Sequence, residues 1–420
     1  MTPAEDLAPE NLVAEDQPHP YRWVMLGLVL MVYTCFGISA GSLAPLVETM
    51  REDLGISSSG MGIILGAWQL TYVFSSYALG TLVDRLGVRK SMGLGIAIVA
   101  LGLALRAAAV DFYSLFFFVA LLGVGGPIIS IGAPKMAAIW FVGRGRGMGA
   151  GIYNAGPAIG GFLVLALTNS VVVPLTGHWR FSFIAYGAVA LIATAVWWLL
   201  ARDAPQGNPV RPAAYYRTES EAEPSAIETF KLLLKTRNVQ IVLLLAFASF
   251  FLNHGLTQWL PTVFTDRGMS DARAGYLAAI PMLVGIPGLL SIPYLLHHGL
   301  RGKGLVVLMM TSALAILGLF SLGGPALIGT LVVSGVSNTA IMPVMTLVLM
   351  ETPGVGRRHI GAAAGIFFTF AEVGGFTGPL FLGLLRDLTD TLTSGLVMLA
   401  VVSGIASVAA FLINEGRQER

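Results

Sequence analysis

The sequence predicts an all-α membrane protein: twelve transmembrane helices in two pseudo-symmetric six-helix bundles. Three observations predict it: apolar runs long enough to cross a bilayer, a polar stretch that divides them six and six, and short motifs that recur at one offset. Hydrophobic residues make up 55% of the 420 positions and charged residues only 11%, with a mean hydropathy of +0.77. A water-soluble domain carries about 25% charged residues, so lipid is the solvent that fits this composition. The 51 glycines agree with it, because helices in lipid associate by close backbone approach rather than by the hydrophobic effect.

A run of about 20 apolar residues crosses a hydrocarbon core roughly 30 Å thick. Helices 1 to 6 are expected over 22–47, 58–82, 91–109, 113–140, 145–172 and 180–201, and helices 7 to 12 over 239–264, 274–298, 303–322, 325–350, 359–384 and 393–414. The bundles therefore occupy 22–201 and 239–414. Segment 202–238, rich in Pro, Glu, Arg and Lys, is expected to be a cytoplasmic linker with a short amphipathic helix at Ile227–Lys235. Residues 1–21 read as a disordered cytoplasmic tail without the basic start and short apolar middle of a cleavable signal, and 415–420 as a second tail.

Charge sets the orientation, because Lys and Arg are retained on the cytoplasmic side. With both termini inside, the inner segments hold Arg85, Arg89, Lys90, Arg144, Arg146, Lys231, Lys235, Arg301 and Lys303 among others. The outer loops hold only Arg51, Arg106, Arg180, Arg267, Arg273 and Arg386. A multi-pass protein of the cytoplasmic membrane is the expected location.

The halves also repeat. Ala150-Gly151-Ile152-Tyr153 through Gly160-Gly161-Phe162 aligns without a gap with Ala364-Gly365-Ile366-Phe367 through Gly374-Gly375-Phe376. Gly55, Ser57 and Gly62 match Gly268, Ser270 and Gly275 at nearly the same offset, joining helix 2 to helix 8 as helix 5 is joined to helix 11.

Several function classes are excluded. Cys35 is the only cysteine, so there is neither an intramolecular disulfide nor a cysteine metal cluster. A formal charge of +2 spread over short loops gives no footprint for nucleic acid. No Walker loop, metal-ligand cluster or hydrolase elbow stands at a workable spacing, so no enzyme, cofactor or metal is expected.

Between helices 2 and 3 stands Gly80-Thr81-Leu82-Val83-Asp84-Arg85-Leu86-Gly87-Val88-Arg89-Lys90. Gly80 permits close helix contact, Asp84 can cap a helix end or pair with a base, and Gly87 makes the turn. This run resembles the loop signature of the major facilitator superfamily, and it lies where that family places it. The resemblance implies two bundles that rock about a central site, with Gly80, Asp84, Arg85, Gly87, Arg89 and Lys90 as a conformational latch. The equivalent loop between helices 8 and 9, Leu295-Leu296-His297-His298-Gly299-Leu300-Arg301-Gly302-Lys303, lacks the carboxylate, which argues against a symmetric second latch. Gly156-Pro157-Ala158-Ile159-Gly160-Gly161 resembles the superfamily's antiporter signature but has Ile152 where that pattern has glycine; close helix crossing with a proline bend is the plainer reading. The run Asn253-His254-Gly255-Leu256-Thr257-Gln258-Trp259-Leu260-Pro261-Thr262 resembles the cyanate and nitroimidazole permease group. Pro134-Lys135-Met136-Ala137-Ala138-Ile139-Trp140-Phe141 is similar, less closely, to heme and choline-type carriers.

Polar side chains at mid-membrane are costly and call for a reason. Counting 1.5 Å per residue from the helix ends puts Tyr33, Gln69, Asn253, His254, Asn338 and Glu372 near mid-depth and Asn154 somewhat nearer the cytoplasm. These residues and Trp259 are the candidate solute-binding set, on helices that the resemblance implies line the cavity. Trp68, Tyr72 and Tyr153 could stack on a planar or quaternary-ammonium group, and Lys135 could attract an anion or simply snorkel. Glu372 is the one carboxylate deep within a span, hence the proton-coupling candidate or the counter-charge of a cation. The expected function is secondary active transport of a small organic solute across the lipid bilayer, coupled to protons, by a monomer. An organic anion is the first solute class and a cation such as an amino alcohol the alternative; a ligand-binding membrane receptor without transport is the rival from another class.

Overall fold

A computed structural model describes residues 20–141, 144–203, 232–352 and 355–414. Of the expected tails and linker, residues 1–19, 204–231 and 415–420 lie outside the described residues, and 232–235 form a helical turn. The N-terminal half comprises α1 (Arg22–Gly41), α2 (Ser58–Leu86), α3 (Val88–Arg106), α4 (Phe112–Ala120 and Leu122–Trp140), α5 (Arg144–Asn154 and Gly156–Leu167) and α6 (Trp179–Leu200). The C-terminal half comprises α7 (Arg237–Asp266), α8 (Asp271–Leu295), α9 (Arg301–Ser321), α10 (Gly324–Glu351), α11 (Gly356–Thr389) and α12 (Thr393–Ala410). Among the described residues, eleven helices are long and apolar enough to cross a membrane. The twelfth pass is α2, 29 residues long, whose lower hydropathy reflects its serines, glycines and Gln69.

The two halves share one packing scheme. In the first, α1 packs on α5, α3 on α6, and α4 on α2 and α3; in the second, α7 packs on α11, α9 on α12, and α10 on α8 and α9. Two antiparallel pairs, α2 with α11 and α5 with α8, join the bundles. The repeated glycines make both kinds of contact. A β-carbon on Gly160 would lie 2.2 Å from the Thr34 carbonyl oxygen, and one on Gly374 would lie 2.2 Å from that of Phe247, so each closes the same crossing within its own bundle. At the seam, a β-carbon on Gly62 would lie 2.5 Å from the Pro379 carbonyl oxygen and one on Gly275 would lie 2.3 Å from that of Leu165. The Gly156-Pro157 step likewise serves packing: a β-carbon on Gly37 of α1 would collide with the Pro157 backbone.

We call the side carrying the start of α1 and the α2–α3 turn the terminal face, and the opposite side the far face. At the far face the structure ends α1 at Gly41 rather than at 47, because Pro45 interrupts the chain in a 3-10 turn, Ala44–Leu46, before a short helix, Val47–Leu54. Arg106, expected in an outer loop, is instead fully buried at the end of α3. Its guanidinium donates to the Ser39 carbonyl and the Ser42 hydroxyl, both at 2.7 Å, so the C-terminal end of α1 satisfies the buried charge. Between α3 and α4, Asp111 and Ser114 form a capping box, and the Ser114 hydrogen bonds hold the Asp111 carboxyl below its usual range.

Replacing Gly62 with Leu should prevent α2 from seating on α11 at the far face while leaving each bundle folded. Greater labelling of cysteines placed near Ser59, in protein with unchanged gel-filtration behaviour, is the expected readout.

Candidate solute site

At mid-depth, three helices from both bundles bring polar groups to one small residue. A β-carbon on Gly375 of α11 would lie 3.0 Å from His254 Cδ2 of α7, 3.2 Å from Gln69 Cγ of α2 and 3.5 Å from Glu372 Oε2. Glycine at 375 thus lets a carboxyl, an imidazole and an amide converge at the seam. Gln69 is 0% exposed and Glu372 6%. Four atoms here have no hydrogen-bond partner among the described residues: Trp68 Nε1, Gln69 Nε2, Gln69 Oε1 and Glu372 Oε2. A buried polar atom left unpaired costs about 1–3 kcal/mol, so four together mark a place built to meet something else.

An aromatic wall surrounds these groups. Trp68 sets its ring edge-on to His254 at 5.6 Å and to Phe36 at 5.7 Å, and Phe250 covers His254 at 5.5 Å. Tyr33 packs on Tyr153 at 5.2 Å, and Ser130 of α4 is within hydrogen-bonding reach of both the Tyr33 and Tyr72 hydroxyls. Tyr72 also lies in the electrostatic field of Glu372.

Not every predicted site residue joins this cluster. Asn338 gives both amide atoms to its own bundle, accepting from Ser312 of α9 at 2.8 Å and donating to Ser334 at 3.1 Å, so it packs α10 against α9. Trp259 is 0% exposed and donates from Nε1 to the Pro379 carbonyl at 3.0 Å, which pins α7 to α11. Asn253 stands one residue, and so roughly 100° around the helix, from His254. It is exposed and accepts from Thr257. Asn154 is exposed and donates to the Ala150 carbonyl, while the adjacent Tyr153 is the residue turned inward. Trp259→Phe should lower stability by about 0.6 kcal/mol, the typical size of an interhelical hydrogen bond in a membrane. The solute KM should not change, which a thermal melt and a transport assay on the same preparation would check.

The seam is closed at the far face. Arg386 of α11 ion-pairs with Glu48 of the other bundle and with Asp266 of α7, the latter at 3.1 Å. Asp387 caps the first turn of α2, accepting from the backbone N–H groups of Ser58 at 2.9 Å and Ser59 at 2.7 Å. Gln258 of α7 donates to the Ala40 carbonyl of α1 at 3.1 Å. The expected outline of helix 11 stopped at 384, which left Arg386 and Asp387 in a loop; the structure carries α11 on to Thr389 and so aims both across the seam. Toward the terminal face, α2 and α11 part. A β-carbon on Gly365 would meet nothing within 4 Å, and one on Gly80 would meet only Ile131 of its own bundle.

The residues of the expected latch lie within the N-terminal bundle in this conformation. Asp84 ion-pairs with Lys135 of α4, Arg89 pairs with Asp203 at 3.3 Å, Gly87 turns the chain at φ +79°, and Arg85 and Lys90 are exposed. Lys135 is therefore engaged by Asp84 in this conformation. In the C-terminal half, the carboxylate missing from the α8–α9 loop comes from the end of α10. Glu351 pairs with Arg301 and lies 3.9 Å from His298. The two halves hold equivalent contacts with charges exchanged: the loop carboxylate Asp84 meets Lys135 of α4, and the loop base Arg301 meets Glu351 of α10.

Two matched bundles with unpaired polar groups at their seam define a polytopic membrane carrier. The sequence profile of the Major Facilitator Superfamily matches residues 29–379. The chain belongs to that superfamily: it is a multi-pass membrane transporter of small organic solutes, not an enzyme. It is 25% identical to the hexuronate transporter of Bacillus subtilis over 378 residues, covering 86% of this chain and 87% of that one. It is 22% identical to the 2-nitroimidazole transporter of Escherichia coli over 412 residues, covering 95% and 97%. Among solved structures, a bacterial homolog of the human lysosomal transporter Spinster, captured inward-facing and unoccupied, superposes with a TM-score of 0.72 at 17% identity, over 94% of this chain and 97% of that one.

Proposed function

We propose that the protein is a proton-coupled secondary transporter that moves a small organic solute across the cytoplasmic membrane by alternating access, as a monomer with its terminal face in the cytoplasm. The observation that carries this reading is the set of unpaired, buried polar atoms of Gln69, Trp68 and Glu372 between bundles clasped at the far face, with α2 and α11 parting toward the terminal face. A small organic anion is the first solute class, supported by the hexuronate relative. A small organic cation is the second, supported by a carboxyl among aromatic rings. Within the superfamily, the Asn253–Thr262 run and the 2-nitroimidazole relative support a place beside the cyanate and nitroimidazole permeases.

Opening the far face requires breaking the Arg386, Asp387 and Gln258 contacts while α2 meets α11 at the terminal face. Continuing the Ser58–Asp387 pairing down the two antiparallel helices brings Asp84 level with the first turns of α11. In that state Asp84 leaves Lys135 for the unpaired N–H groups of a helix start. The latch motif then closes the cytoplasmic side as Asp387 closes the outer one.

Thermal-shift screening of purified protein finds ligands, because binding raises apparent stability. Flux of those ligands into proteoliposomes containing only this protein, driven by an inward proton gradient, is the expected result. Binding without flux would replace the transporter reading with that of a receptor.

A further inference from the structure

The seam site has a charge inventory that constrains its solute. Among the residues whose side chains are described, every Lys and Arg lies toward an end of its helix. In this conformation Lys135 is held by Asp84 and Arg386 by Glu48 and Asp266, while Arg106 donates to Ser39 and Ser42 at the far-face end of α3. Among the described side chains, an anion at the level of Gly375 therefore meets no fixed cation. The titratable groups that face Glu372 are Tyr72 of α2 and His254 of α7, with Tyr33 of α1 and Tyr153 of α5 beyond them. Neither α12 nor the membrane-buried part of α10 carries a titratable side chain.

An ionised Glu372 would repel an anion, and one without a partner is costly at this depth. A protonated Glu372 adds a donor. Together with the Gln69 amide N–H groups and the Trp68 indole N–H, it makes a set in which donors outnumber the acceptor left on Gln69. One carboxylate offers about four lone-pair positions and suits that set. A second carboxylate would arrive with no charge to balance it.

We infer that the site binds an organic monoanion together with one proton held on Glu372, so that solute and proton together move no net charge, and that it rejects dianions. The inference rests on the transport reading above and refines it to a charge class and a stoichiometry. It also departs from what an anion carrier with a fixed arginine would do: here the compensating positive charge travels with the solute.

The test uses matched probes, D-glucuronate against D-glucarate and benzoate against 4-sulfobenzoate, with choline as the cationic control. Binding is read by thermal shift, and uptake is measured in proteoliposomes with and without an imposed membrane potential. At least one monoanion should stabilise the protein, more strongly at pH 5.5 than at pH 7.5 because Glu372 must be protonated; its dianionic partner should bind at least about tenfold more weakly. Uptake should be indifferent to the potential. Glu372→Gln should still bind the monoanion but without the pH dependence, and Glu372→Asp should retain that dependence, which separates loss of a proton site from loss of folding. A dianion that binds as well as its partner overturns the inference. So does a preference for choline, a failure of both monoanions to bind, uptake that follows the potential, or pH dependence that survives Glu372→Gln. Electrogenic or dianion flux would leave the transporter reading standing, whereas binding with no flux of any probe would remove that reading instead.

Discussion

Glu372→Gln is expected to abolish uphill, proton-driven uptake while sparing downhill exchange of solute across the same membrane. Glutamine keeps the shape and one donor of a protonated glutamic acid but cannot release a proton, so the variant behaves as a carrier fixed in its protonated form. Coupling between two ligands of one site is typically about 1–3 kcal/mol, so accumulation should fall roughly 5- to 150-fold. The sign in pH follows from the direction of protonation: wild-type binding of an anion strengthens as pH falls, and the variant should show a flat profile. Paired measurements of accumulation under a proton gradient and of counterflow without one would decide it. Equal loss of both activities would reduce Glu372 to a packing residue.

The second large effect is expected from opening the far face. Replacing Arg386 with Gln and Asp387 with Asn removes the ion pairs to Glu48 and Asp266 and weakens the cap on α2. Charge-assisted contacts at such a partly exposed surface contribute about 0.5–1 kcal/mol each, so the double variant should shift the equilibrium toward the far-side-open state by roughly 2 kcal/mol, about 30-fold. Spin labels on Glu52→Cys and Leu388→Cys in a Cys35→Ser background would report the distance across that face. A longer-distance population should grow in the variant, and an unchanged distribution would show that glycine packing alone closes the seam. Because salt screens partly exposed charge pairs, the wild-type distribution should itself widen at high ionic strength.

The same charges show what one dimension of sequence can and cannot carry. Depth in a membrane is countable along the chain, and counting located Gln69, His254 and Glu372 near the level at which the structure brings them together. Direction around a helix axis is not countable when both faces are apolar, and that is where expectation and structure diverge. Asn338 and Trp259 lie at suitable positions along their helices yet turn into their own bundle, where Ser312 and the Pro379 carbonyl take up their polar atoms. Arg106 looked like a loop charge because charged residues at helix ends are usually solvated; only the approach of Ser39 and Ser42 makes its burial tolerable. The far-face clasp was hidden for a related reason: a charged stretch after apolar residues reads as the end of a span, although α11 continues as a helix through it.

Composition and pattern alone determined that this chain lives in lipid, that it is built as a duplicated six-helix unit, and that few polar groups occupy the membrane's middle. Solvent preference and helix length are properties of consecutive residues, so they need no fold to be read. The tertiary structure decided which of those polar groups share a space, which face is closed and by what, and how the carboxylate absent from the α8–α9 loop is supplied by Glu351 from another helix. Those outcomes depend on helix rotation and on partners hundreds of positions away in the chain, and close backbone approach at glycines such as 62, 275 and 383 sets them.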